Sequence, residues 1–430
     1  MEQTLDCAAF VGLDWADEEH AFCVLPVDLG AAAQTGTLKQ RPEAIAAWAT
    51  ELRERFGGRP VAVCLEQSRG ALIYALMAYD FLVLCPVNPA QLASYRKALY
   101  PSGAKDDPTD AELLARFVRE HRDQLRVWQP DDEITRGLRL LNEQRRAWVE
   151  QRVGLENELR QRLKESYPLA LELLAGDLHG DYALALLAKF PTLKELQRAS
   201  PRQLAKWLRR PRRQPDEPSA EELVKARIAV IRQAMPLTKD RAVLDHARLV
   251  IRHVVTQIQS LNGAIAECDQ QIAELFAQHP DRDLFASFPG AGAALAPRLA
   301  AAFGTDRERF QDAKDIQQIS GIAPVTRSSG KTTVVLARWA CPKFLRQTFH
   351  EFARCSTRFS SWAQAYLRMR TAAGGRYHVI LRALAFKWQR ILFHCWKNRE
   401  VYDEQRHLQR LRASGSNLVR FLPPCGTANP

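Results

Sequence analysis

The chain has 430 residues, is 46% hydrophobic and 26% charged, and carries 61 Lys+Arg against 49 Asp+Glu, a formal net charge of +12 with a pI near 9.4. That length and apolar content predict two or three folded domains and exclude a wholly disordered chain, and the charge points to a polyanionic partner rather than an acidic metabolite. The most apolar stretch, Ala71 to Val87, is broken by Asp80 and is too short to span a bilayer. Glu2 and Asp6 without a basic segment predict no secretory signal, and nine cysteines without a CxxC pair predict a reducing cytoplasm with no disulfide framework or zinc knuckle.

Residues 7–40 predict three short strands, around AFVGLDWA, HAFCVLPV and QTGTLKQ, divided by a turn at Asp17-Glu18-Glu19 and a small-residue loop near Gly30. The helix EAIAAWATELRERFG follows, then the buried-type strand RPVAVCLE, the helix GALIYALMAY and the strand FLVLCPV. The order βββαβαβα is that of an RNase H-like fold. From Ile134 the pattern changes to 4-3 spacing (Ile134, Leu138, Leu141, Arg145, Trp148, Arg152, Leu155, Leu159), one stripe of a long helix. A second heptad series runs Ile251, Val254, Ile258, Leu261, Ile265, Cys268, Ile272, Leu275. A helix from Thr238 to Gln278 is about 60 Å long at about 1.5 Å per residue. Such a rod pairs with another helix, within the chain or across a dimer. Between the two series, residues 167–219 form a helical insertion ending in the linker-like RRPRRQPDEPS. The expected divisions are 1–130, an α/β domain; 131–280, a coiled-coil region; 281–412, a mainly helical domain; and 413–430, a disordered tail.

Asp14 lies inside the apolar strand FVGLDWA, where an unpartnered ionised carboxylate is strongly unfavourable. Backbone amides at the strand end can compensate it; so can a metal ion. Glu66 ends the strand VAVCLE, which in an RNase H-like sheet lies beside the first strand and so brings Glu66 near Asp14. Two carboxylates that close repel unless a divalent cation neutralises them. Asp107 and Asp110 open a helix in GAKDDPTDAELLARFV. Asp107 reads as its N-cap with Pro108 first in the helix, or Thr109 and Glu112 as a capping box. An i, i+3 pair on the first turn also projects both carboxylates to one side, with Asp106 leaving the assignment open by one residue. Four such carboxylates can hold two Mg²⁺ ions for phosphodiester chemistry.

LFASFPGAGAALAPRLAAAFG reads as a helix-hairpin-helix, with Gly290 and Gly292 letting backbone approach a phosphate, or as a tight turn between packed helices. In QQISGIAPVTRSSGKTTVV, Ser328, Ser329 and Gly330 occupy a loop flanked by Arg327 and Lys331, cations able to neutralise a phosphate and favour the alkoxide of an attacking serine. From Gly321 to Glu400 fifteen Lys/Arg, Arg338 among them, face only Glu351 and Glu400, an excess of +13 that predicts a nucleic-acid surface.

VGLDWADEEHAFCV, VAVCLEQSRGALIYAL and GAKDDPTDAELLARF resemble the three N-terminal blocks of the DEDD transposases of the insertion-sequence 110 family, the last block normally close to KTDRNDA. FPGAGAALAPRLAAAFG and SGIAPVTRSSGK resemble its C-terminal blocks, where a Pro precedes by five residues the Ser of Ser-Gly. The likeness spans residues 8–125 and 284–400, in order. It implies an acidic tetrad at Asp14, Glu66, Asp107 and Asp110 that binds Mg²⁺ or Mn²⁺, and a nucleophile at Ser329. It also implies a RuvC-like domain, a coiled coil for dimerisation and assembly up to a tetramer, a serine transposase domain, and action on donor and target DNA in a prokaryotic cytoplasm, at the nucleoid. A non-coding guide RNA from the element's own ends is implied by the resemblance alone. The extra acid Asp106 and the doubled Ser328-Ser329 leave both registers open by one residue, and the insertion at 167–219 has no counterpart. Two other functions compete: a RuvC-like structure-selective nuclease in which Ser329 is only loop, and a non-catalytic nucleic-acid scaffold, against which the retention of all four acids argues.

Overall fold

The computed structural model describes residues 6–28, 32–99, 106–125, 127–208, 220–330 and 332–422. They form two compact units, Met1–Pro130 and Asp131–Pro430.

The first unit runs β1 (Ala9–Asp14), β2 (Glu19–Pro26), β3 (Gln34–Lys39), α1 (Pro42–Arg55), β4 (Val61–Leu65), α2 (Ala71–Leu76), β5 (Leu82–Pro86), α3 (Pro89–Leu99) and α4 (Asp107–His121). After the last strand come two helices where the pattern of the sequence shows one. The sheet order is β3-β2-β1-β4-β5, with β1 antiparallel to β2 and parallel to β4. This mixed α/β architecture is consistent with the RNase H-like expectation.

Both faces of the sheet are covered, so β1, β4 and β5 read as near-continuous apolar runs. One face, with Val11, Leu13, Phe22, Val63 and Leu65, packs on Ile45, Trp48 and Leu52 of α1 and on Leu72, Ile73 and Leu76 of α2. The other, with Phe10, Cys23, Ala62, Cys64 and Cys85, packs on Ala111, Leu114, Ala115 and Val118 of α4. Small residues line this second seam, and Gly12 is its tightest point. A Cβ there would stand 1.9 Å from the Ala111 carbonyl oxygen and 2.4 Å from the Ala115 nitrogen, so α4 lies directly on the strand backbone.

The second unit begins with α5 (Glu133–Ser166) and the short helices α6 (Pro168–Leu173), α7 (Asp181–Lys189), α8 (Leu193–Arg198), α9 (Pro201–Leu208) and α10 (Ala220–Gln233). It continues with α11 (Arg241–Gln278), α12 (Arg282–Ala286), α13 (Gly292–Phe303) and α14 (Ala313–Ile319). A hairpin of β6 (Val325–Ser329) and β7 (Thr332–Leu336) precedes α15 (Lys343–Phe359), α16 (Ser361–Ala372), α17 (Tyr377–Asn398) and α18 (Glu404–Ala413). The long rods α5 and α11 are antiparallel partners: Gly137 faces Leu275, Arg145 pairs with Asp269 at 2.5 Å, and Arg152 donates to Asn262 at 2.9 Å. The heptad residues Ile251, Val254, Ile258, Ile265, Cys268 and Ile272 are buried, so an in-chain helix covers this seam. The rods carry one core at each end. Leu159, Leu163, Ile251 and Ile258 join α6–α10, the insertion region, whereas Leu138 and Ile272 join the core of α12–α18. The linker RRPRRQPDEPS, residues 209–219, lies outside the described residues.

The expectation of a disordered tail from 413 is corrected up to residue 422. Asn417–Phe421 forms a short 3-10 turn whose Leu418 is buried in the C-terminal core between α16 and α18, with Phe421 and Leu422 packed against the same core. Among the described residues no helix is long and apolar enough to cross a membrane.

Candidate functional site

The acids gather at one end of the first unit's sheet. Asp14 is the last residue of β1, and Glu66 follows the last residue of β4. The parallel register pairs Gly12 with Cys64; carried two residues on, it sets Asp14 and Glu66 level at the carboxyl ends of neighbouring strands. Helix α4 runs antiparallel to β1, since Arg122 just beyond its end acts electrostatically on Cys7 while Ala111 touches Gly12. Its first turn, with Asp107 and Asp110, therefore lies at the same end as Asp14. Alternation along β1 puts Asp14 on the face of Gly12, the face that α4 covers.

The cap of α4 differs from the expected one. Asp106, not Asp107, is the N-cap, accepting from the Thr109 backbone N–H at 2.8 Å. Those bonds from Thr109 hold its carboxyl below the usual range. Adjacent aspartates compete for one cap, and the extended backbone of Asp106 wins it. Asp107 is exposed, and Asp110 is 3% exposed and ion-paired with Arg96 at 2.5 Å.

No three carboxylate, histidine or cysteine side chains among the described residues stand close enough to share one ion. The donor set nevertheless fits a divalent cation. It consists entirely of hard oxygen ligands, and its buried member, Asp110, already sits against a positive charge.

Ser329 lies in the second unit. The expected loop is the end of a β-hairpin, in which Ser329 pairs with Thr332 and Gly330 turns the chain at φ +56. Ser328 and Thr333 hydroxyls bond across the strands at 3.2 Å. Ser329 points the other way, on the face of Arg327, and makes no side-chain hydrogen bond among the described residues. Lys331 lies outside the described residues. Arg338 is half-buried, and its carbonyl accepts from Arg346 at 2.7 Å. Arg346 also donates to the Trp339 carbonyl and the Cys341 sulfur, pinning the segment after β7 to α15.

The two glycines of the α12–α13 turn have different tasks. Gly290 has φ +81, and a Cβ there would meet the Cys355 carbonyl carbon at 2.9 Å, so its missing side chain serves packing on α15. Gly292, at φ +51, opens α13 and faces free space.

Sequence reasoning passed over Gly12 and Arg96, and took Arg346 only as one of the fifteen cations of the basic stretch. A glycine inside an apolar strand is the available signal for the first. The two arginines look like any solvated charge until their partners are known.

The first unit is thus a mixed sheet with acids at the ends of two neighbouring strands, and the second a mainly helical unit with an exposed serine on the face of an arginine. Comparison with known proteins gives the family. A DEDD transposase profile matches residues 11–168, and a profile described as "Transposase IS116/IS110/IS902 family" matches residues 282–368. The chain belongs to the IS110 family of transposases. Its relatives include a protein of the IS117 mini-circle of Streptomyces coelicolor, 29% identical over 410 residues that cover 92% of this chain and 96% of that one. A 42 kDa protein of IS900 from Mycobacterium paratuberculosis is 26% identical, covering 79% and 83%. A 43.6 kDa protein of IS110 from Streptomyces coelicolor is 27% identical, covering 77% and 79%.

Proposed function

We propose that this protein is the transposase of an insertion sequence, a DNA recombinase that cuts and rejoins strands through Ser329 with the help of the acidic end of its first unit. The observation that carries the reading is the placement of Asp14, Glu66 and the first turn of α4 at one end of the sheet. Asp14, Glu66, Asp107 and Asp110 would hold Mg²⁺ or Mn²⁺, which when bound supplies positive charge to a phosphate under attack. Ser329 Oγ attacks the phosphorus and loses its proton to solvent. The bond from phosphorus to the departing strand's oxygen breaks, leaving a phosphoserine diester. Attack by a free strand hydroxyl then reverses the step and regenerates the serine. Arg327, on the same face of the hairpin, neutralises the phosphate, as do Lys331 and Arg338 in this reading. The open amino end of α13 at Gly292 offers amide donors to the backbone of a nucleic acid, in the manner of a helix-hairpin-helix.

The excess of cations between Gly321 and Glu400 supports binding of both DNA and a structured RNA from the element's end, the latter on the strength of the family resemblance. A homo-oligomer would place several such sites on paired DNA ends, and since α5 covers the α11 heptad seam, further copies would dock through other surfaces.

The test is strand exchange between donor and target DNA in the presence of Mg²⁺ and the element's RNA. Asp14→Asn and Glu66→Gln are expected to abolish it while leaving the circular-dichroism spectrum unchanged. Exchange that persists in excess EDTA, or in either variant, would remove the metal-assisted reading.

A further inference from the structure

Among the four acids, Asp110 is the buried one, and a carboxylate there requires a cation beside it. Arg96 supplies it: Nη2 stands 2.5 Å from Oδ1, with the two side chains 19% and 4% exposed. The guanidinium is poorly satisfied where it sits, because its buried Nε has no hydrogen-bond partner among the described residues. It is carried by α3, whose one buried residue is Leu92 and which is otherwise held to α4 through Tyr95, edge-on to Phe117 and bonded to Glu120. Asp107 and Glu66, by comparison, are exposed.

We infer that Arg96 is a built-in stand-in cation: it holds Asp110 in the metal-free protein and must withdraw when a divalent ion enters, so that metal loading loosens α3. This rests on the reading of the acidic end as a metal site. A guanidinium and a divalent ion on one buried carboxylate repel each other, and the desolvated setting leaves that repulsion weakly screened. The cost of opening the pair lowers the apparent metal affinity by the fraction of molecules in which Asp110 is available.

The experiment measures Mn²⁺ binding to the full chain by electron paramagnetic resonance, and hydrogen exchange of residues 89–99 with and without Mn²⁺. Arg96→Met is expected to tighten Mn²⁺ binding by about tenfold, Arg96→Lys by less, and Asp14→Asn to abolish it. In the unmodified protein Mn²⁺ should accelerate exchange in α3, whereas in Arg96→Met exchange is already fast and Mn²⁺ leaves it unchanged. If Arg96→Met binds Mn²⁺ no more tightly while Asp14→Asn still abolishes binding, Arg96 is a fixed part of the site and the inference fails, though the metal site stands. If Arg96→Met does not fold, the unmodified protein decides, because α3 exchange indifferent to Mn²⁺ overturns the inference. Binding insensitive to Asp14 removes the metal site and the inference together.

Discussion

Asp14 and Asp110 hang from β1 and α4, elements buried in the core of the first unit, whereas Ser329 rides a two-stranded ribbon in which every described residue but Val325 is exposed. The acidic end is thus built by the core: its geometry is set by a strand register and by a helix resting on a glycine. The serine is presented by an element with no core of its own, tied to the second unit through the Arg346 bonds to residues 338, 339 and 341. The difference teaches that a core fixes the backbone places of the acids, whereas the ribbon that carries the serine is held only from its base. Val335 on that ribbon and Trp339 beside it are 64% and 82% exposed.

Gly12→Ala breaks the comparison at its core-built side and carries the largest expected effect. The new methyl meets backbone atoms of α4, which cannot rotate away, so helix and strand must separate at a cost of about 3 kcal/mol, the upper end of the usual range for overpacking. Urea denaturation of the full chain should show a first transition at clearly lower denaturant. An unchanged midpoint would mean that α4 does not rest on β1 and that Asp107 and Asp110 lie elsewhere.

At the other extreme, Ser329→Ala sharpens the comparison by doing almost nothing to the fold. The side chain is exposed and makes no hydrogen bond among the described residues, so stability should stay within about 0.5 kcal/mol. A thermal melt shifted well beyond that would show that the hairpin depends on its serine for structure, leaving loss of activity in the same variant without a chemical meaning.

Much of this architecture was legible in the sequence. The apolar runs at Val61–Leu65 and Leu82–Pro86 announced buried strands, and the 4-3 spacing from Ile134 and Ile251 announced the two rods, because each pattern repeats over many residues. Asp14 and Glu66 could be placed at strand ends and the acids of KDDPTDA at a helix start, with the choice between Asp106 and Asp107 left open. What stayed hidden depends on single contacts. Asp106 takes the cap from Asp107 through one hydrogen bond, and Arg96 reaches Asp110 from a different helix. The Ser-Ser-Gly stretch reads as loop until its pairing with Thr332 and Thr333 makes it a hairpin. Leu418, in the short run Leu-Val-Arg-Phe-Leu between Gly/Ser- and Pro-rich stretches, is too brief a signal to read until the C-terminal core receives it.

The central claim, that Ser329 attacks DNA, is tested most directly by a denaturing gel of the protein incubated with labelled donor DNA, RNA and Mg²⁺, followed by peptide mapping of any protein–DNA adduct. The account predicts a covalent adduct on Ser329 that Ser329→Ala removes and Ser328→Ala retains, because Ser328 faces Thr333 on the other side of the ribbon. An adduct on Ser328 would shift the nucleophile by one residue. Clean strand cleavage by Ser329→Ala with no adduct in any sample would contradict the account and make the protein a hydrolytic nuclease.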